Sequence, residues 1–306
     1  MRASGRDGFV RMAAIAIWLA LCPAAWAGEG GPLRVVASFS ILADLAREVG
    51  GERVAVTSLV GPEADAHGYA PSPGDGKRLA QADVVVVNGL GFEGWLDRLV
   101  RASGTKAPVV VASTGVRPRS EDAGHGHDHG HDTDPHAWQS VANAKTYVGN
   151  IRDGLAKADP GHAADYARNA DAYLARLGAL DAELRATLAT IPPERRRIIT
   201  THDAFGYFAE AYGLTFVAAQ GVSTESEASP REVAALIRQI KRERIPAVFV
   251  ETITDPRLME QVSRESGARI GGRIHSDALS GPTGSAPTYI EMMRANAKAF
   301  AEALKG

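Results

Sequence analysis

Apolar positions in this chain follow two alternating patterns. Short continuous runs, many of them β-branched, occur at 33–38, 53–60, 83–87 and 109–112 and predict strands; segments of helical period occur between them at 41–49, 73–82 and 92–102. Local punctuation agrees with these limits. Gly50-Gly51 closes the first helix, and Ser72-Pro73 reads as an N-cap followed by proline at the first helical position. Val84-Val85-Val86-Val87 is continuous rather than alternating, as expected of a strand covered on both faces. The second half repeats the rhythm. Strands are predicted at 197–201, 215–218, 246–250 and 268–274, and helices at 204–212, 229–243, 255–267 and 287–304. Ser229-Pro230-Arg231-Glu232 matches a capping box.

Between the halves, Tyr166, Ala170, Tyr173, Leu174, Leu177, Leu180, Leu184 and Leu188 recur at helical spacing, with no proline before Pro192-Pro193. This predicts one helix of about 45 Å at 1.5 Å per residue, its apolar stripe packed on the flanking structure. Strands alternating with helices predict an α/β fold of two doubly wound lobes with mainly parallel sheets, joined by that helix. The expected limits are 28–160 for the first lobe, 161–192 for the connector and 193–306 for the second lobe. A connector of this kind resists large hinge opening.

The first segment reads differently. Arg2, Arg6 and Arg11 precede the apolar run 12–22, and Ala25 and Ala27 supply a small-residue ending, so 1–27 reads as a cleavable secretory signal peptide. Lipid attachment at Cys22 is the alternative. Cleavage after Ala27 removes the only cysteine and leaves 31 basic against 35 acidic side chains, a net charge of −4. Neither a disulfide nor a thiolate zinc cluster is then available, and no basic excess points to nucleic acid. A metal site must use histidine and carboxylate.

Histidine is where the composition departs from the ordinary. Of nine histidines, four (His125, His127, His129 and His131) alternate with Gly and Asp inside the low-complexity stretch 121–132. Such a stretch buries no core and reads as a surface loop that collects cations. The remaining candidates stand at strand-to-helix junctions, where open α/β sheets bind ligands. They are His67 in GPEADAHGYAP, His136 in DPHAW, His202 in THDAFGYF and Asp277 in HSDALSG. Asp134, Asp203 and Glu251 stand near them as groups that could orient an imidazole, Glu251 equally as a helix cap. His162 reads as a surface residue.

These phrases, with NGLGFEGWL at 88–96, make the chain resemble the cluster A-I solute-binding proteins of bacterial zinc and manganese ABC importers over about 33–305. The resemblance implies two α/β lobes on one long helix, with metal in the cleft held by His67, His136, His202 and Asp277. It departs in two places: Ala66 stands where the family usually has proline, and His275 where it usually has tyrosine, leaving His275 either a partner of the site or exposed. Manganese-binding members generally carry Glu at the third ligand position, where this chain has His202. Three imidazoles and one carboxylate suit Zn²⁺ over oxygen-seeking Mg²⁺ or Ca²⁺. The expected function is therefore periplasmic capture of Zn²⁺, with Mn²⁺ less favoured, by a non-enzymatic monomer. It would deliver the ion to a membrane permease, with a periplasmic metallochaperone as a further partner. No P-loop is present, so ATP hydrolysis falls to another subunit. The alternatives are a periplasmic zinc buffer or chaperone, and a zinc hydrolase.

Overall fold

The computed structural model describes residues 31–120, 133–225 and 227–305. Segment 1–27, read from the sequence as a signal peptide, and the histidine-rich stretch 121–132, read as a cation-collecting loop with His125, His127, His129 and His131, lie outside the described residues. In the first half, β1 (Leu33–Phe39), α1 (Ser40–Gly50), β2 (Val54–Val60), α2 (Pro73–Ala80), β3 (Val84–Val87), α3 (Leu96–Ser103) and β4 (Val109–Val111) build one sheet in the order β2-β1-β3-β4. Every pair is parallel, with Leu33 opposite Val54 and Val35 opposite Val84. The valine run explains itself here. Val84 and Val86 join the main core, while Val85 and Val87 pack with Leu79 and Leu96 from the helices on the other face.

A two-stranded antiparallel ribbon follows, β5 (Arg119–Ser120) with β6 (Thr133–Asp134), on either side of residues 121–132 in the chain. Next come α4 (Val141–Ala158) and the long α5 (Ala163–Ala189). Helix α4 was not among the predicted elements. Its buried residues Val141, Ala144, Tyr147, Val148, Ile151 and Leu155 do have helical spacing, but small and polar residues dilute the stripe. On α5, Tyr166, Ala170, Tyr173, Leu177, Leu180, Leu184 and Leu188 are buried, and the helix packs against α1, α4, α6 and α9.

The second half comprises β7 (Arg197–Thr200), α6 (Gly206–Tyr212), β8 (Thr215–Ala218), α7 (Pro230–Glu243), β9 (Ala247–Glu251), α8 (Arg257–Ser266), β10 (Arg269–Ile274) and α9 (Tyr289–Leu304). Its sheet, in the order β10-β9-β7-β8, is also parallel throughout. Ile199, Val248 and Val250 face α7 and α8, and Ile198 and Phe249 face the main core. The capping box at α7 forms: Ser229 Oγ accepts from the Glu232 N–H, and Glu232 Oε2 accepts from the Ser229 N–H. The fold is the two-lobed α/β architecture expected.

Some helix starts moved. Helix α3 begins at Leu96, not 92, because Gly89, Leu90 and Gly91 all take positive φ, and the Glu93 carboxylate binds the N–H groups of Asn88 and Gly89. Helix α6 begins at Gly206 rather than 204. Among the described residues, no helix is long and apolar enough to cross a membrane.

Candidate metal centre

His67 lies in the loop after β2, His136 between β6 and a short 3-10 turn (Ala137–Gln139), His202 two residues beyond β7, and Asp277 three residues beyond β10. The fold brings these four together, with one donor atom from each inside 4.8 Å of all the others. His67 Nε2 lies 3.2 Å from His136 Nε2 and 3.1 Å from Asp277 Oδ2. His202 Nε2 lies 3.2 Å from Asp277 Oδ2, and His136 Nε2 lies 3.6 Å from Asp277 Oδ1. Donors held about 2.0–2.1 Å from a tetrahedral ion stand roughly 3.3 Å apart, so these separations suit such an ion. His136, His202 and Asp277 are fully buried, and His67 is 9% exposed. His202 Nε2 and both Asp277 oxygens have no hydrogen-bond partner. Polar atoms left unpaired in an interior are costly, and a cation would satisfy all three.

Each donor is held from behind. Asp134 Oδ1 accepts from the His136 N–H and lies 2.9 Å from His136 Nδ1. For His202 the partner is Glu251, not Asp203. Glu251 Oε1 accepts from the N–H groups of Thr201 and His202, and its Oε2 lies against His202 Nδ1. A carboxylate on Nδ1 fixes the tautomer that presents Nε2 to a metal. The main chain before His67, His136 and Asp277 is pinned too. Trp95 Nε1–H donates to the Ala66 carbonyl, Asn88 to the Pro135 carbonyl, and both Trp138 and Gln139 to the Ser276 carbonyl. The phrases NGLGFEGWL and DPHAWQ therefore supply the mounting of the site as well as a ligand. Asp65 joins the lobes across its edge, accepting from the His67 N–H and from Thr224 Oγ1.

The charges reinforce one another. Burial alone would lower the His136 imidazole, but the Asp277 and Asp134 carboxylates outweigh it and lift its pKa to about 9. Burial likewise opposes the charge on His202, and Glu251 and Asp277 overcome it, raising that pKa well above the usual imidazole value. Burial would raise Asp277, yet His202 and His136 hold it well below the usual carboxylate range.

Among the described residues, the other two histidines, His162 and His275, take no part among these donors. His275 is not exposed, as one reading of the sequence had it: it is buried, with Nδ1 3.3 Å from Thr252 Oγ1 and Nε2 3.2 Å from Ser285 Oγ. His162 stands at the N-cap position of α5 without a side-chain capping bond, its Nδ1 2.8 Å from Asp159 Oδ2. Ala66 is fully buried, and its carbonyl bond to Trp95 holds the turn that a proline would otherwise stiffen.

Residues 35–303 match the family described as ZnuA, zinc-uptake complex component A, periplasmic. The manganese-binding lipoprotein MntA of Halalkalibacterium halodurans is 39% identical over 278 residues, 90% of this chain and 89% of that one. The iron-binding protein YfeA of Yersinia pestis is 36% identical over 260 residues, 85% of this chain and 82% of that one. Among solved structures, the periplasmic zinc binding protein TroA from Treponema pallidum has a TM-score of 0.83 at 30% identity, covering 90% of this chain and 100% of that one.

Proposed function

The chain belongs to the ZnuA family of metal-binding components of ABC importers, and from that premise we propose that its cargo is Zn²⁺, held by His67, His136, His202 and Asp277. The metal ion is substrate here, not a resident cofactor. Relatives are named for manganese, iron and zinc, so the choice of ion turns on this chain's own donors. The observation that carries the reading is the third imidazole. His202 Nε2, backed by Glu251 and 3.2 Å from Asp277 Oδ2, makes the set three nitrogens and one carboxylate, all within 4.8 Å of one another. Mn²⁺ favours oxygen donors, so the set is poorer for it. The loaded protein delivers the ion to the importer's permease, and a separate subunit hydrolyses ATP. The loop 121–132 serves as an accessory collector.

The relative MntA is named a lipoprotein, which favours an anchor at Cys22 over free release after Ala27. Either form works outside the cytoplasm. Mass spectrometry of the full chain after expression distinguishes a lipidated Cys22 from a new N-terminus at Gly28.

Competition titrations with Zn²⁺ and Mn²⁺ test the cargo. The expected result is one tightly held Zn²⁺ per chain, retained against a large excess of Mn²⁺ and lost in Asp277→Ala. Equal retention of Mn²⁺ would overturn the zinc reading.

A further inference from the structure

We infer that Arg119 is a positioning residue for the cargo site, acting on His136 through Asp134 and across the lobes on the helix that follows His202. The inference rests on the reading of His67, His136, His202 and Asp277 as that site.

Arg119 stands on β5, and its side chain is only 19% exposed. Its Nη1 donates to Asp134 Oδ2 at 3.1 Å, while the other oxygen of Asp134 holds the His136 N–H and faces its Nδ1. Its Nε donates to Glu210 Oε1 at 2.7 Å, and its main-chain N–H to the Tyr207 hydroxyl at 2.9 Å. Tyr207 and Glu210 belong to α6, which starts four residues after His202. One side chain thus touches the carboxylate behind His136 and the element leading away from His202.

Gly206 shows how close this approach is. A Cβ there would collide with Arg119 Nη1 and lie 2.6 Å from Asp134 Oδ2. Its φ is not among the positive ones, so the glycine in THDAFGYF is needed for space, not for backbone freedom. The guanidinium is suited to the task because its planar fork serves Asp134 and Glu210 in one fixed geometry; a lysine ammonium has no such fork. His136 and His202 come from different lobes. Donors that must stay near tetrahedral spacing tolerate only about 0.5 Å of looseness, so a group that fixes both mountings holds the cargo in place.

The test compares Arg119→Lys, Arg119→Gln and Gly206→Ala with the parent. Three quantities are measured: Zn²⁺ release to a chelator by stopped flow, the visible spectrum of the Co²⁺-loaded protein, and the thermal melting temperature. Arg119→Gln and Gly206→Ala are expected to release Zn²⁺ about tenfold faster or more and to shift the Co²⁺ bands, as disturbed outer partners of metal ligands typically cost 10–100-fold. Arg119→Lys, keeping the charge but not the fork, should fall between. If melting temperatures drop while release rates and Co²⁺ spectra match the parent, the inference is overturned and Arg119 is only a structural tie. Should Gly206→Ala fail to fold, the two Arg119 variants carry the same test. Asp277→Ala, run alongside, separates the two failures: if it binds Zn²⁺ like the parent, the site reading falls, whereas failure of Arg119 alone leaves the Asp277→Ala loss intact.

Discussion

At the scale of single residues, the site is built from donors whose partners are as specific as the donors themselves. Glu251 offers one oxygen to two backbone N–H groups and the other to His202 Nδ1. Glu251→Gln removes the charge that holds His202 in its ligating tautomer. Zn²⁺ affinity should fall about 10–100-fold, read by chelator competition; unchanged affinity would contradict the role. Protonation gives a second prediction. A metal ligates neutral imidazole, and in the metal-free site His136, with its pKa near 9, and His202, also raised, hold protons at neutral pH. Binding must release them, so affinity strengthens as pH rises toward 9 and weakens as it falls. Titrations at pH 5 and 7.5 should differ strongly, and equal affinity would refute the assignment. The four donors were legible in the sequence because each sits in a short local phrase. Glu251 was legible only as a residue near the cleft. Its partner depends on β9 lying beside β7, with Ile199 opposite Val248, and that adjacency is not local.

At the scale of elements, the parallel sheets bring the site together at the ends of their strands, and α5 packs against α1, α4, α6 and α9 beside them. Leu177 is fully buried near the middle of α5. Leu177→Ala should cost about 2–5 kcal/mol, as large-to-small core changes do, while Zn²⁺ stoichiometry stays at the parent value. Urea denaturation with a parallel metal titration checks both. The element signals in the sequence were strongest where apolar residues were large and continuous, as in Val84 to Val87 and on α5. They were weakest on α4, whose stripe mixes Ala144 and Tyr147 with small and polar neighbours. The start of α3 shifted for a different reason: three consecutive left-handed residues and the Glu93 carboxylate hold the chain in a turn that apolar spacing cannot reveal.

At the scale of the whole molecule, buried polar contacts tie the lobes directly as well as through the long helix. Asp44 of α1 accepts from the Tyr289 N–H in the first turn of α9, Ser40 Oγ from the Leu279 N–H, and the Trp138 carbonyl from the Tyr289 hydroxyl. Burial raises Asp44 to about 6, more than the Tyr289 N–H lowers it. Between its unfolded value near ~4 and 6 the folded protein therefore holds the extra proton, and this group's contribution to stability declines as pH rises through that window. Asp44→Asn keeps an acceptor for Tyr289 without the charge. It should stabilise the protein at pH 7 and flatten the dependence between pH 4.5 and 7, measured by chemical denaturation; a parent-like slope would count against it. Sequence alone determined the strand and helix rhythm, the two-lobed class and the four candidate donors, since these follow from periodicity and from short motifs. Only the tertiary structure decided which carboxylate stands behind which imidazole, why Gly206 must lack a side chain, and how Arg119 and Asp44 bridge the lobes. Apart from Asp134 and His136, two positions apart, those are contacts between residues 15 to 245 positions apart, and their geometry exists only once the helices flanking both sheets are packed on α5.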